Sequence, residues 1–330
     1  MLSTNERNYI LEGLKEGVRF DGREYTGHRN ISILLGGKTG TIELNLGATK
    51  ILAKVNGTIE EPNPDRPTEG SLAFFVDLGV MEFDQQANEI YKPKKYANEI
   101  TKFIDKVIKG SKAIDIESLC LITNKYVWSI QVHLTLINND GNLLDAFYLA
   151  AIVALLHYRK PFVTIESQSK IVVHSVEEKD PQPLSIHHIP IAVTYSFFDD
   201  SKIFVMDPTK LEEEIMEGRV TFAVNIYKDI CYIHKPGGAF LSPELFPKLL
   251  EACNIKVAQL TKTIREVLRD ETGKFMIANT KEDVRLDLFK VDLTSKDAKA
   301  MDVESPVKMK EDGKADVEEI KTEDLVDKFN

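Results

Sequence analysis

The stretch Asn138-Asn139-Asp140-Gly141-Asn142 runs without a break into LLDAFYLAAIVALL. A polar, glycine-bearing turn that opens an apolar helix has the makings of an anion site. The first helical turn presents unpaired backbone N–H groups, and the helix dipole adds partial positive charge. A phosphate cradle usually has more glycine and a nearby cation, and here Leu143, Leu144 and Asp145 follow instead. The same residues also read as a self-contained cap. Asn142 is then the N-cap, and Asp145, three residues on, accepts from the cap's own N–H. Leu143 and Leu144 would pack inward or against a neighbouring subunit.

Four other groups could carry chemistry. Lys92, Lys94 and Lys95 in YKPKKY, with Lys102 and Lys106 beyond, form the densest basic run. Such lysines hold nucleic-acid phosphates without reading bases, or simply form a solvated face. Arg19, Asp21 and Arg23 resemble a catalytic cluster but suit a salt-bridged turn better. Asp207, Glu212, Glu213 and Glu214 could bind a cation, or form an acidic first turn that complements a helix dipole. His187 and His188 lack third and fourth ligands at a metal-like spacing, so neither metal nor other cofactor is expected.

The elements that must position these groups alternate between strand and helix. Ser3 can cap a first helix with Ile10, Leu11 and Leu14 on one face. Strands are expected at ISILL, TGTIELNL, KILAKVNG and SLAFFVDL. The helical segment YANEITKFIDKVIKG follows, with Ile100, Phe103, Ile104 and Ile108 inward and lysines outward. LCLITN and YVWSIQVHLTLI lead into the helix after Asn142, whose apolar residues surround it and mark it as central and buried. A second half begins near Pro161, with strands FVTIE, IVVHS, IAVTYSFF and IFVMD. Asp207-Pro208-Thr209 starts a short acidic helix, RVTFAVNIY and ICYIH form a hairpin, and Ser242-Pro243 caps a long helix to about Arg269. The class is α+β, helices packed on mixed sheets.

The 330 residues, 43% hydrophobic, suffice for one large domain or two small ones. The net charge of −10 argues against a protein that coats nucleic acid broadly, while leaving room for local basic patches. Residues 281–330 carry ten Lys or Arg and fifteen Asp or Glu, half of that net charge. With few large apolar residues, a disordered tail is expected over 280–330. Within it, Ser305-Pro306 fits a proline-directed kinase pattern and Ile320-Lys321-Thr322-Glu323 a SUMO acceptor pattern. Cys120, Cys231 and Cys253 share no disulfide or metal spacing and read as reduced core thiols. The polar start MLSTNERNYI is unlike a signal peptide, and no apolar run reaches the ~18 residues of a membrane span.

Several motifs taken together resemble the RNase PH family. They are Arg19-Phe20-Asp21-Gly22-Arg23, Arg29-Asn30-Ile31, LGATKILAKV from Leu46, Ile114-Asp115-Ile116-Glu117-Ser118-Leu119-Cys120, Val127-Trp128, the Asp140-Gly141-Asn142 loop with its helix, PLSIHH from Pro183, Val205-Met206-Asp207-Pro208, and Gly237-Gly238. Each is weak alone; their order and spacing over roughly residues 5–275 are specific, and within the family they look most like exosome ring subunits. The resemblance implies an RNase PH-like domain over 1–279, made of two βαβα halves (1–160 and 161–279) like the second domain of ribosomal protein S5. It implies a heterodimer within a hexameric ring of RNase PH-like subunits, RNA-binding cap subunits, RNA in the channel, no membrane, and a place in nucleus, nucleolus and cytoplasm.

Active family members are phosphorolytic exoribonucleases whose cradle reads Gly-Gly-Thr-Arg-Thr-Ala. Without a gap that pattern falls on Gly141, Asn142, Leu144 and their neighbours through Ala146. Leu144 stands where a guanidinium would give two charge-assisted bonds to phosphate. Asp145 adds repulsion of roughly 3 kcal/mol per unit of phosphate charge at about 5 Å and an effective dielectric near 20. The helix end returns only about 1 kcal/mol. The second phosphate arginine falls on Tyr96, and the catalytic aspartate on Thr221, whose hydroxyl is no general acid near neutral pH. The expected protein is therefore a catalytically silent ring subunit that supports 3′→5′ RNA processing by separate nucleases. The alternatives are an active phosphate-dependent 3′→5′ exoribonuclease and a fold-sharing interaction protein without an RNA role.

Overall fold

A computed structural model describes residues 2–79, 93–167, 170–175, 177–238 and 240–269. The chain opens with helix α1 (Thr4–Lys15), whose capping box pairs Ser3 with Glu6 and whose Ile10 and Leu14 are buried. Strands β1 (Ile31–Leu35), β2 (Thr41–Leu46), β3 (Thr49–Glu60) and β4 (Ser71–Asp77) follow. Helix α2 (Pro93–Gly110), β5 (Cys120–Ile122), β6 (Tyr126–Asn138) and helix α3 (Leu143–His157) complete the first half. Short strands β7 (Arg159–Lys160), β8 (Val163–Ser167), β9 (Lys170–Val173) and β10 (Gln182–Pro183) lead onward. The second half contains β11 (Ile191–Phe198), β12 (Ile203–Met206), α4 (Lys210–Ile215), β13 (Gly218–Val224), β14 (Ile230–His234) and α5 (Leu245–Arg269).

The first sheet has the order β1-β2-β3-β6-β4, with β5 added to β6; β4 runs parallel to β6 and the other pairs are antiparallel. Strand β3 alternates buried and exposed residues along much of its length, as expected of a sheet with one solvated face. The second sheet, β12-β11-β13-β14, is antiparallel. All eight residues of β11 are buried, so both of its faces are covered.

Helix α3 packs against β2, β3 and β6 of one sheet and β11 of the other. Every residue from Leu143 to Leu155 is buried, which answers the apolar run that surrounds the helix in sequence. Phe103 of α2 meets Tyr148 of α3 edge-on, with ring centroids 5.8 Å apart. Ile100, Phe103, Ile104 and Ile108 face inward as their spacing requires.

Three local expectations change. Helix α5 begins at Leu245 rather than Pro243: Ser242 accepts from Leu245 and Phe246 through its backbone carbonyl, closing a turn before the helix proper. The short acidic helix has Thr209 as its N-cap, in a capping box with Glu212, and Asp207 stands outside it in a left-handed conformation. Cys120 and Cys231 are only half-buried, whereas Cys253 is a core thiol. The tail over 280–330 lies outside the described residues.

Gly141 locks the turn before α3. Its φ is +84°, and a Cβ there would run into the backbone of Thr209 and Lys210. Gly141→Ala should lower the thermal midpoint by several degrees or prevent soluble expression, since the obstruction is backbone that cannot swing away. A variant that melts with the wild type would show that the loops before α3 and α4 are not pressed together.

Candidate functional site

At the start of α3, where the sequence expects an anion site or a self-contained cap, Asn142 stands at the N-cap position without the expected cap bonds. Asn142 is left-handed (φ 52°, ψ 46°) and makes no side-chain cap bond. Its backbone N–H is taken by Glu213 Oε1 of α4, 2.9 Å away. Its Nδ2 donates to Asp145 Oδ2 at 2.9 Å and to Asp207 Oδ1 at 2.6 Å. Asp145 is turned away from the helix N-terminus towards β11. Its Oδ2 accepts from the Thr194 N–H at 2.8 Å and its Oδ1 from the Thr194 hydroxyl at 2.7 Å. The expected self-cap is thus overturned: Glu213 accepts from the Asn142 N–H and Thr194 donates twice to Asp145, while Asn142 and Asp145 keep only a side-chain bond and the buried Asn142 Oδ1 finds no partner among the described residues.

Thr194 also meets Thr221, its direct cross-strand partner on β13, with the hydroxyl oxygens 2.8 Å apart. The three positions that carry chemistry in the resemblance are all internal. Leu144 is 1% exposed, Tyr96 2% and Thr221 0%. The Arg219 guanidinium lies 5.3 Å from the Tyr96 ring centroid and donates to the Tyr96 hydroxyl and, at 2.8 Å, to Glu99. His234 is 2.9 Å from the same Glu99 oxygen.

Beneath the α3 start lies a network whose centre is Asp207, wholly buried. Arg29 donates to both Asp207 oxygens, at 3.0 and 2.8 Å, and Arg23 donates to Oδ2 at 3.0 Å. Arg29 continues to the carbonyls of Asp140 and Gly141, which fastens the loop before α3. Arg19, 1% exposed, forks onto both Glu212 oxygens and donates to the carbonyls of Met206 and Asp207. Arg23 also bonds Asp21, so the Arg19-Asp21-Arg23 cluster is a salt-bridged turn as expected, but it extends much farther. The acidic set is divided: Asp207 serves the arginines, Glu212 serves Arg19 and the Thr209 cap, and Glu213 serves Asn142. Sequence reasoning missed Thr194, and it named Glu213 only as one of an acidic set. Asp207, Arg29 and the loop before α3 were all quoted as motifs, yet nothing in their spacing says that they meet.

Burial opposes ionisation of Asp207, and the charges of His28, Arg29 and Arg23 outweigh it, holding its pKa well below the usual range. Burial pushes Asp145 up to about 6 and depresses His28 to about 4.

The lysines occupy a different face. Lys94, Lys95, Lys102 and Lys106 are exposed along α2, and Lys106 approaches the Tyr232 ring at 5.9 Å. Lys92 lies outside the described residues. His187 and His188 line a cavity of about 390 Å³ with Cys231 and Asp229. Among the described residues, no three His, Cys, Asp or Glu are grouped to hold a metal ion.

Comparison with known proteins fits this geometry. The profile of the 3′ exoribonuclease family, domain 1, matches residues 27–161, and that of domain 2 matches 188–253. The fission yeast (Schizosaccharomyces pombe) exosome complex component rrp45 is 35% identical over 272 residues, 82% of this chain and 92% of that protein. This chain belongs to the 3′ exoribonuclease (RNase PH) family. The rat (Rattus norvegicus) exosome complex component RRP45 is also 35% identical, over 88% of this chain but about two thirds (67%) of its own length. Among solved structures, an Archaeoglobus fulgidus exosome with RNA bound to the active site superposes with a TM-score of 0.65 at 25% identity, over 78% of this chain and 96% of that one. The RNase PH fold accounts for the two sheets about α3.

Two outcomes follow from the buried network. Asp207→Asn removes the buried anion that Arg29 and Arg23 share, leaving them only the more exposed Asp140 and Asp21, and should destabilise the fold by about 3–5 kcal/mol in urea titrations. The second outcome concerns pH. The His28 pKa is depressed, so its contribution is present above the unfolded value near 6.5 and is lost as pH falls towards about 4. The Asp145 pKa is raised, so its contribution has the opposite sign: it favours the fold at low pH and is lost as pH rises through about 6. Between about pH 6 and 4 the two oppose each other. Asp145→Asn should therefore steepen the fall in urea midpoint across that window, and parallel profiles for wild type and variant would refute the assignment.

Proposed function

We propose that this chain is a non-catalytic ring subunit of an RNA exosome, retained for its shape and for RNA passage. One observation carries the reading: the residues at the position of the phosphate cradle are bonded to one another. Asp145 is engaged by Thr194, Thr194 by Thr221, and Asn142 by Asp145, Asp207 and Glu213. A phosphate entering there would meet a buried carboxylate and a leucine where binding requires a guanidinium. Thr221 supplies no acid for the leaving group.

The kinship with the rrp45 proteins and the likeness to the archaeal exosome support the place in a ring. On this reading the chain pairs with another RNase PH-like subunit as a heterodimer within a hexamer, contacts RNA-binding cap subunits, and works in nucleus, nucleolus and cytoplasm. The α2 lysines Lys94, Lys95, Lys102 and Lys106, together with Lys92, are the proposed contacts to RNA phosphates, with separate nuclease subunits cutting the chain.

Two measurements decide. A ring reconstituted with this chain should release no nucleoside diphosphate that depends on Asp145 and Thr221. Loss of release on changing only those two residues would overturn the silent assignment. Charge reversal at Lys94, Lys95 and Lys102 should weaken RNA binding by the ring and flatten its salt dependence by about 0.7 per lost phosphate contact. Unchanged filter binding across a salt series would remove the lysines from the RNA path.

A further inference from the structure

The outer face of the first sheet carries a feature that neither the cradle nor the α2 lysines explain. Phe75 of β4 is 49% exposed and stacks on His133 of β6, with ring centroids 5.0 Å apart and planes only 14° from parallel. The two are register partners across the parallel β4–β6 pair. On the other side of His133, its antiparallel partner is Lys54 of β3. Strand alternation puts Lys50, Leu52, Lys54 and Asn56 on this exposed face. The lysines are four residues apart, which along a strand is about 13 Å.

From the structure we infer that Phe75, His133 and Lys54 form a stacking platform for single-stranded RNA, a refinement that rests on the RNA role proposed above. The two rings are near-parallel and Phe75 is half exposed, which suits stacking with an unstacked base of any identity. Lys54 stands beside the rings and Lys50 lies farther along β3, where a backbone following that strand would place its phosphates. Gln131 and Thr135 flank His133 along β6 and supply polar partners to base edges. A protein-docking patch is the poorer fit, because lysine is depleted at the centre of such interfaces and here sits directly beside the rings. Three carboxylates share the face, and Glu60, at the far end of β3, accepts from the Thr58 hydroxyl. Glu43 lies a strand farther out, opposite Leu52, and Asp77 accepts from the Gly79 N–H. None of the three stands next to His133 in the register.

The test uses the full chain and a fluorescein-labelled twelve-nucleotide oligouridylate, read by anisotropy across a salt series. Phe75→Leu keeps apolar bulk and removes the ring; Lys54→Gln removes one charge. Phe75→Leu should weaken binding about 10-fold with the salt slope unchanged, and Lys54→Gln should reduce the slope by about 0.7. Ultraviolet crosslinking should map to the peptide containing Phe75 in wild type and vanish in Phe75→Leu, while the two proteins melt alike. If Phe75→Leu binds as wild type while charge reversal on α2 abolishes binding, the platform is wrong and the RNA role stands. If wild type does not bind the oligonucleotide at all, the platform is wrong, and the ring's RNA role stands or falls on the filter-binding series above. If Phe75→Leu leaves RNA binding intact but blocks association with a ring partner, the face is a protein interface and the platform is overturned.

Discussion

The carboxylate of Asp207 is the constraint on which the centre of the molecule depends. It is fully buried, and a buried anion is tolerated only when charge and hydrogen bonds surround it. Arg29 and Arg23 supply both, reaching Asp207 from a segment some 180 residues earlier. Because Arg29 also holds the carbonyls of Asp140 and Gly141, one side chain fixes the N-terminal segment, the loop before α3 and the turn after β12 relative to one another. Gly141 is needed because those loops are drawn together more closely than a Cβ allows.

That arrangement explains why the start of α3 has anion-site spacing without anion-site chemistry. The nearby cations Arg19, Arg23 and Arg29 are bonded to Glu212, Asp21 and Asp207 of the same chain. The carboxylate that most directly opposes an incoming phosphate, Asp145, is held by the two donors of Thr194. The residues that occupy the cradle thus contribute to joining the two sheets through α3, β11 and β13. The proposed RNA contacts lie elsewhere, on the lysines of α2 and the exposed face of the first sheet.

Much of the fold was legible in the sequence. The alternation of β3 and the i, i+3, i+4 spacing of Ile100, Phe103 and Ile104 specify a half-exposed strand and an amphipathic helix through local geometry alone. The apolar circumference of α3 announced a buried central helix, and the ordered motifs announced the family. The limits were equally physical. Asn142 and Asp145 have the types and spacing of a cap, but a cap is a local hydrogen bond in competition with every other donor and acceptor that the fold brings near. Glu213 and Thr194 won, from 71 and 49 residues away. The α5 start was misplaced by two residues for a milder reason, since a Ser-Pro turn and a Ser-Pro cap share the same residues.

The sequence by itself determined most of the elements and the family, because each rests on residue type and short-range spacing. Only the tertiary structure decided which carboxylate meets which cation. It alone showed that Asp145 faces β11 rather than its own helix, and that Phe75 and His133 stack on an open face. Those are contacts between residues far apart along the chain, and their partners are set by strand register and helix packing, which no single segment encodes.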